Sequence, residues 1–496
     1  MGRDHAGRTV GLYIVSADTK IATGLFVLAV VTFGYFSGGA GWNQDAHFDL
    51  TRALVERHTL YIDGYDVNTG DTSRGTGGHT YINKPPGASF LAAIPYAFVY
   101  PVEKHLQLPI DGMTRFNRWL VTALSIGICG AFIGPVLFLY GRKRAGATAP
   151  ASLAVAAIIL FETIVFPYST MLFAQIPAAL FLLLAVVFLR ERPMTAGMAA
   201  GIALSCFYVC AAAAVVLCII ACVQSRRAAM RFVAGCLPWT ILIGVYQWLC
   251  FGSPFRTAVE ASTQFTEKGA LFGVLRMPSL DALYGISFSP YRGLIFASPV
   301  LLAALIGLVM MARRSDLHPE LWSVAIIVAM FFIAIAGFNG WNGGCAFGAR
   351  YLVPIVPLLG IPMLVAFRGN SRPVRALWIA AALLSFAMNF IATATDPMPC
   401  PGIPNPIRAY LLPAFFTGRI PEETRVAFPW YPTRSVDKIA LPSDSGNLGE
   451  LLFGRRKRAS LLPIVIWLIG GMALLFRAAK RESLLRWLRG KNVFPR

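Results

Sequence analysis

The stretch Asn43-Gln44-Asp45-Ala46-His47-Phe48-Asp49-Leu50-Thr51-Arg52-Ala53-Leu54 leads through a Gly/Asp/Thr-rich passage to His79-Thr80-Tyr81-Ile82-Asn83-Lys84-Pro85-Pro86-Gly87. It concentrates polar chemistry in a chain that is otherwise largely apolar, with carboxylates at one end and a lysine at the other. The apolar run before it, 21–36, approaches the roughly 20 residues that cross a bilayer and shows no convincing small-residue cleavage site. It therefore reads as a spanning helix, and the remaining chain is expected to hold the polar loop at a membrane surface.

The 496 residues are 56% hydrophobic with a mean hydropathy of +0.61, too apolar for a soluble globular protein. A net charge of +20 would suit nucleic acid, but the basic residues fall in short blocks between apolar runs, the positive-inside pattern of a polytopic membrane protein. Membrane lipids are thus expected as partners, and no nucleic acid. Arg3, Arg8 and Lys20 precede the first run and set the N-terminus in the cytoplasm, which places loop 39–116 outside.

Later blocks fix the rest: Arg142-Lys143-Arg144, Arg190 and Arg192, Arg226-Arg227 with Arg231, Arg313-Arg314, and Arg368, Arg372 and Arg375 each close an apolar run. Parity then requires 86–100 to be a re-entrant or juxtamembrane helix and 194–223 to be two short helices breaking near Cys206 to Cys210. The outcome is an all-α protein of about 12 transmembrane helices, both termini cytoplasmic, with juxtamembrane helices in the first outer loop. Residues 1–392 form the transmembrane module, 393–459 a Pro-rich outer segment, and 460–496 the last span with a basic tail. Arg455-Arg456-Lys457-Arg458 runs against this order, since it would lie outside. Of nine cysteines, none forms a C-x-x-C pair; Cys345 and Cys400 both fall in outer loops, which permits a disulfide between them.

Asp45 and Asp49, four apart, share a helix face with Arg52 one turn on. A carboxylate there can serve as general base toward an acceptor hydroxyl or amine, although Asp45 would also suit an N-cap. The prolines after Lys84 deny its segment a helical continuation and aim its ammonium, as a phosphate contact requires; a snorkelling lysine is the plainer reading. His79 and Tyr81 alternate with Asn83 on the approach to Lys84. Tyr291-Arg292 and Arg350 stand at the mouths of two later runs, where guanidinium groups either grip phosphate oxygens or anchor headgroups. Lys84, Arg292 and Arg350 together would form an outer anion site. Glu162, within an apolar run, is expected to pair with one of these arginines or act as a second base. No phosphate-cradling G-x-x-x-x-G-K-[ST] loop and no zinc spacing occur, which disfavours a nucleotide-sugar donor and a metal centre.

Asp45 just after the first run and Lys84-Pro85-Pro86 opening a juxtamembrane helix resemble the GT-C class of polyprenyl-phosphate-dependent membrane glycosyltransferases, in the branch of the protein O-mannosyltransferases and the aminoarabinose transferase of lipid A. Tyr168-Ser169-Thr170, Phe251-Gly252-Ser253-Pro254, Ser289-Pro290-Tyr291-Arg292-Gly293 and Trp341-Asn342-Gly343-Gly344 through Arg350-Tyr351 look like segments of bacterial members, so the resemblance covers most of 21–367. It implies an inverting transfer of sugar from a polyprenyl-phosphate donor to an envelope glycan, lipid or protein, with Asp45 as base and Lys84 on the donor phosphate, at the outer face of a bacterial inner membrane. Protein O-mannosyltransferases carry paired acids where this chain has Asp45-Ala46, a departure that sets a protein acceptor and a divalent metal in question. No cofactor is expected. A transporter or flippase of an anionic polyprenyl-linked lipid is the alternative, but it calls for polar residues in several spans and for internal repeats.

Overall fold

The computed structural model describes residues 16–262, 264, 266–267, 270–367, 371–418, 445–454 and 457–491. Its helices are α1 (Ala17–Tyr35), α2 (Trp42–Arg52), α3 (Gly87–His105), α4 (Ile110–Ala145), α5 (Ala149–Phe161), α6 (Gln175–Phe188), α7 (Pro193–Cys206), α8 (Cys210–Gln224), α9 (Arg226–Phe251), α10 (Leu280–Ser287), α11 (Pro299–Ala312), α12 (His318–Ala336), α13 (Arg350–Ala366), α14 (Arg372–Thr395), α15 (Ile407–Thr417) and α16 (Leu462–Lys491). Hydroxyl caps start several of them: Ser16, Thr148, Ser225 and Ser279 each accept a hydrogen bond from a backbone N–H three residues on.

Among the described residues six helices are long and apolar enough to cross a bilayer, beginning with α1, α4, α9 and α12 and ending with α14 and the last helix, and seven apolar helices of 10–17 residues accompany them. Long helices alone therefore do not supply the expected dozen spans. The break foreseen in 194–223 falls at Phe207–Val209, between α7 and α8. The run expected from Tyr291 is broken: turns at 289–293 lead into one helical turn, Leu294–Ala297, and the longer helix begins only at Pro299. The expected basic tail is instead a helical continuation of α16, and Arg3, Arg8, Arg368, Arg455 and Arg456 lie outside the described residues.

Ion pairs sort the polar segments to two ends of the bundle. At one end Asp18 binds Arg142 at 3.0 Å and Arg486 at 2.6 Å, Arg144 binds Glu320 at 3.4 Å, and Arg190 donates to the Asp316 carbonyl at 2.9 Å. These contacts gather the start of α1 and α12, the ends of α4 and α6, and part of α16. The opposite end carries α2, a hairpin of β2 (Thr72–Arg74) and β3 (Thr80–Ile82), and a two-residue pairing of β1 (Phe36–Ser37) with β4 (Gly446–Asn447).

Small residues let helices approach closely where apolar surface offers no driving force of its own. A Cβ on Gly197 of α7 would lie 1.9 Å from the Phe232 carbonyl oxygen, and one on Gly235 of α9 2.1 Å from that of Met194. Gly235→Val is expected to force α7 from α9, destabilising the detergent-solubilised protein by at least about 1–3 kcal/mol in thermal unfolding. Gly470→Ala, whose new methyl has nothing within 4 Å, should leave the transition unchanged.

Candidate active site

Helix α2 lies against α3 and carries the two acids on one face. Arg118, near the start of α4, donates through Nη1 to Asp45 Oδ1 at 2.7 Å, and both side chains are largely buried. Asn68 donates to Asp49 Oδ1 at 3.3 Å, while Asp49 Oδ2 is buried with no hydrogen-bond partner. Burial first, and the Asp45 charge next, push the Asp49 carboxyl well above the usual carboxylate range, so this acid favours its protonated, donor form.

The β2–β3 hairpin brings Asp71 opposite Lys84. The Asn83 N–H extends the ladder by donating to the Asp71 carbonyl at 3.1 Å, and Lys84 Nζ then sits 3.2 Å from Asp71 Oδ1. β3 ends at Ile82, Pro85 and Pro86 follow Lys84, and Pro86 is the residue before the first turn of α3. Gly87 is demanded by packing: a Cβ there would meet the Ser205 carbonyl oxygen at 2.5 Å, so the motif is seated on the end of α7. His47, on α2, faces this region, with Nδ1 3.0 Å from Ser89 Oγ of α3.

Arg292 is 1% exposed, and each of its described hydrogen bonds goes to a carbonyl. Nε donates to Asn342 at 3.0 Å, Nη2 to Gly344 at 2.8 Å and Pro399 at 3.3 Å, and Nη1 to Tyr291 at 3.4 Å, with the guanidinium 4.3 Å from the Tyr291 ring centre. Burial is the main influence holding its pKa below the usual arginine value, and nearby Arg350 acts in the same direction. Arg350 donates from Nη2 to the Tyr351 hydroxyl at 2.8 Å and lies over the Phe173 and Tyr351 rings, while its buried Nε has no partner. Among the described residues no carboxylate forms a salt bridge with either arginine, although Asp71 is within electrostatic reach of Arg350. Asp71 thus lies near both Lys84 and Arg350, and Arg350 in turn lies near Arg292.

Other expected residues sit elsewhere. Arg52 pairs with Glu56 at 2.7 Å and Asp111 at 3.0 Å and lies over the Tyr65 ring, and its charge still reaches Asp49. His79 binds Asp63 at 2.5 Å and stacks on Tyr61, half exposed, and Tyr81 packs edge-on to Phe251 with its hydroxyl near Thr76. Glu162 caps the end of α5 instead of lying within it, and it makes no ion pair with the arginines; its Oε2 is buried without a partner. Three neighbours went unread in the sequence: His47, Asp71 and Arg118. Arg118 alone offered a signal, as a charge inside an apolar run that needs a partner.

Buried polar atoms normally find hydrogen bonds. Here Asn43 Oδ1, Gln44 Oε1 and Asp49 Oδ2 on α2, with Asn83 Oδ1 beside Lys84, have none within the protein. Such a set of acceptors and a protonated acid suits a hydroxyl-rich ligand between α2 and the cations. Among the described residues no three His, Cys, Asp or Glu side chains group as metal ligands. Burial, with Lys84 adding to it, lowers the His47 pKa from 6.5 to about 3. The unfolded chain therefore takes up a proton below about pH 6.5 that the native state refuses. Stability should fall as pH drops through that window, by up to about 1.4 kcal/mol per pH unit. Unfolding midpoints measured from about pH 7 to 4 should flatten in His47→Gln; equal slopes would contradict the assignment.

No family model matches the chain, and no curated protein does. Among solved structures, it is similar to ArnT from Cupriavidus metallidurans bound to undecaprenyl phosphate, at 14% identity and a TM-score of 0.52 over 96% of this chain and 79% of that one. The apo state of the same protein aligns at 15% identity and a TM-score of 0.46 over 93% and 75% of the two chains. At this identity the likeness shows the fold alone: the chain shares the architecture of ArnT, and its long apolar helices make it an integral membrane protein.

Proposed function

We propose that the protein is an inverting glycosyltransferase that moves a sugar from a polyprenyl-phosphate donor to an acceptor hydroxyl or amine of an envelope glycan, lipid or protein. The observation that carries this reading is a buried carboxylate helix together with two buried arginines that form no salt bridge with a carboxylate among the described residues, on a fold shared with a protein crystallised with undecaprenyl phosphate. The positive-inside pattern supports an outer-face site in a bacterial inner membrane with both termini cytoplasmic.

In the proposed step the acceptor oxygen or nitrogen attacks the anomeric carbon while the bond to the donor phosphate oxygen breaks on the opposite face. Asp45 takes the acceptor proton, and its carboxylate is aimed by Arg118. The leaving group is a lipid phosphate, so no general acid is needed. Arg350, with its partnerless Nε, and Lys84 stabilise the charge that develops on the phosphate, and Arg292 supplies a fixed positive field behind them. Protonated Asp49 and the orphan acceptors of Asn43 and Gln44 bind sugar or acceptor hydroxyls.

Transfer of labelled sugar from a polyprenyl-phosphate donor by the purified protein tests the reading. Asp45→Asn should lower turnover by roughly 10²- to 10⁴-fold, and full turnover by this variant would remove Asp45 as base. Arg350→Met should raise the donor KM by about 10- to 100-fold, the worth of a hydrogen bond to a charged group, with a much smaller effect on the acceptor KM. A wild-type protein that moves the lipid across a bilayer without transfer would instead mark a flippase.

A further inference from the structure

The Cys345 and Cys400 thiols, 55 residues apart in sequence, stand with their sulfurs 3.8 Å apart and are not joined by a disulfide in this structure. Their chain neighbours are the groups that hold Arg292. Gly344, immediately before Cys345, and Pro399, immediately before Cys400, both present carbonyls to Arg292 Nη2. The Ala346 N–H also donates to the Pro399 carbonyl at 3.2 Å, so the two segments already run side by side. Met398, one residue further back, packs on Gln44 of α2 and is fixed by Asp396, whose carboxylate also accepts from the Tyr410 hydroxyl. Cys400 is 2% exposed and Cys345 only partly exposed, so each thiol has the other as its near neighbour while one keeps a path to reagent.

We propose that Cys345 and Cys400 form a disulfide that locks the carbonyl cage around Arg292, making them positioning residues for that guanidinium. The inference rests on the outer-face placement given above, since an oxidising compartment is where such a bond persists. The bond forms by thiol–disulfide exchange with a disulfide-carrying oxidant. The Cys345 thiolate attacks the oxidant and releases one of its thiols; the Cys400 thiolate then displaces the second. Two thiol protons and two electrons leave the cysteine pair as the oxidant disulfide becomes two thiols. Cross-linking fixes 342–346 to 396–400, which otherwise meet through backbone hydrogen bonds and the buried arginine.

The test uses the full-length protein in detergent, incubated with oxidised glutathione or with dithiothreitol, then alkylated, digested and read by mass spectrometry. The expected result is a 345–400 cross-linked peptide, lighter by two hydrogens than the summed thiol peptides, present after oxidation and absent after reduction. Phenylglyoxal labelling of Arg292 should be at least roughly threefold slower in the oxidised protein, and Cys400→Ser and Cys345→Ala should each abolish that difference. Alkylation of both thiols after the oxidant would overturn the bond. A cross-link that leaves Arg292 labelling unchanged would overturn the positioning role. Neither readout requires a donor or turnover, so failure here is separate from failure of the transferase reading.

Discussion

A buried guanidinium with no carboxylate salt bridge among the described residues is the constraint on which this end of the molecule depends. Moving such a charge out of water is costly unless its N–H groups are satisfied, and Arg292 meets that demand with carbonyls from Tyr291, Asn342, Gly344 and Pro399. Those acceptors lie up to 107 residues from it in sequence. The arginine thereby stitches together the turns before α11, the loop before α13 and the strap after α14. Carbonyl dipoles satisfy geometry without cancelling charge, so a positive field persists where these segments meet.

Around that fixed cation the other charged groups differ in how available they are. Lys84 is already matched by Asp71, and Asp45 by Arg118, so an incoming phosphate has to share Lys84 with an internal carboxylate. Arg350 is held by a tyrosine hydroxyl and two aromatic faces and keeps an unmatched donor. Preformed donors of this kind need no reorganisation when negative charge develops. The acid helix, with the Asp49 pKa raised and several acceptors unmatched among the described residues, suits neutral hydroxyls better than anions. On the proposed reading, this end of the bundle divides into an anion-binding side and a sugar-binding side.

The architecture was legible where one signal decides it. The apolar run before the loop, the Lys84-Pro85-Pro86 break and the interruption at Cys206 to Cys210 each follow from local chemistry. The helix count was not, since prolines and turns such as 289–298 shorten apolar runs below spanning length. Asp45 and the three cations stood out in the sequence because a charge next to an apolar run is conspicuous. Their partners were not. Asp71 sits in a Gly/Thr-rich passage that looks like solvent-exposed loop, and only the hairpin register sets it against Lys84; His47 and Arg118 matter through α3 and α2, contacts no sequence period encodes. Arg52 is near Asp49 as the i,i+3 spacing expects, but its direct partners, Glu56 one turn on and the distant Asp111, were not read from the sequence.

The central claim, that the unneutralised arginines and Lys84 form a lipid-phosphate site beside the Asp45 helix, is tested most directly by an experimental structure of the protein with undecaprenyl phosphate. The account predicts the phosphate within hydrogen-bond distance of Arg350 Nε and Lys84 Nζ, with the polyprenyl chain leaving between spans. A headgroup bound instead at the other end of the bundle, in the groove lined by Lys20 and Arg481, would contradict it.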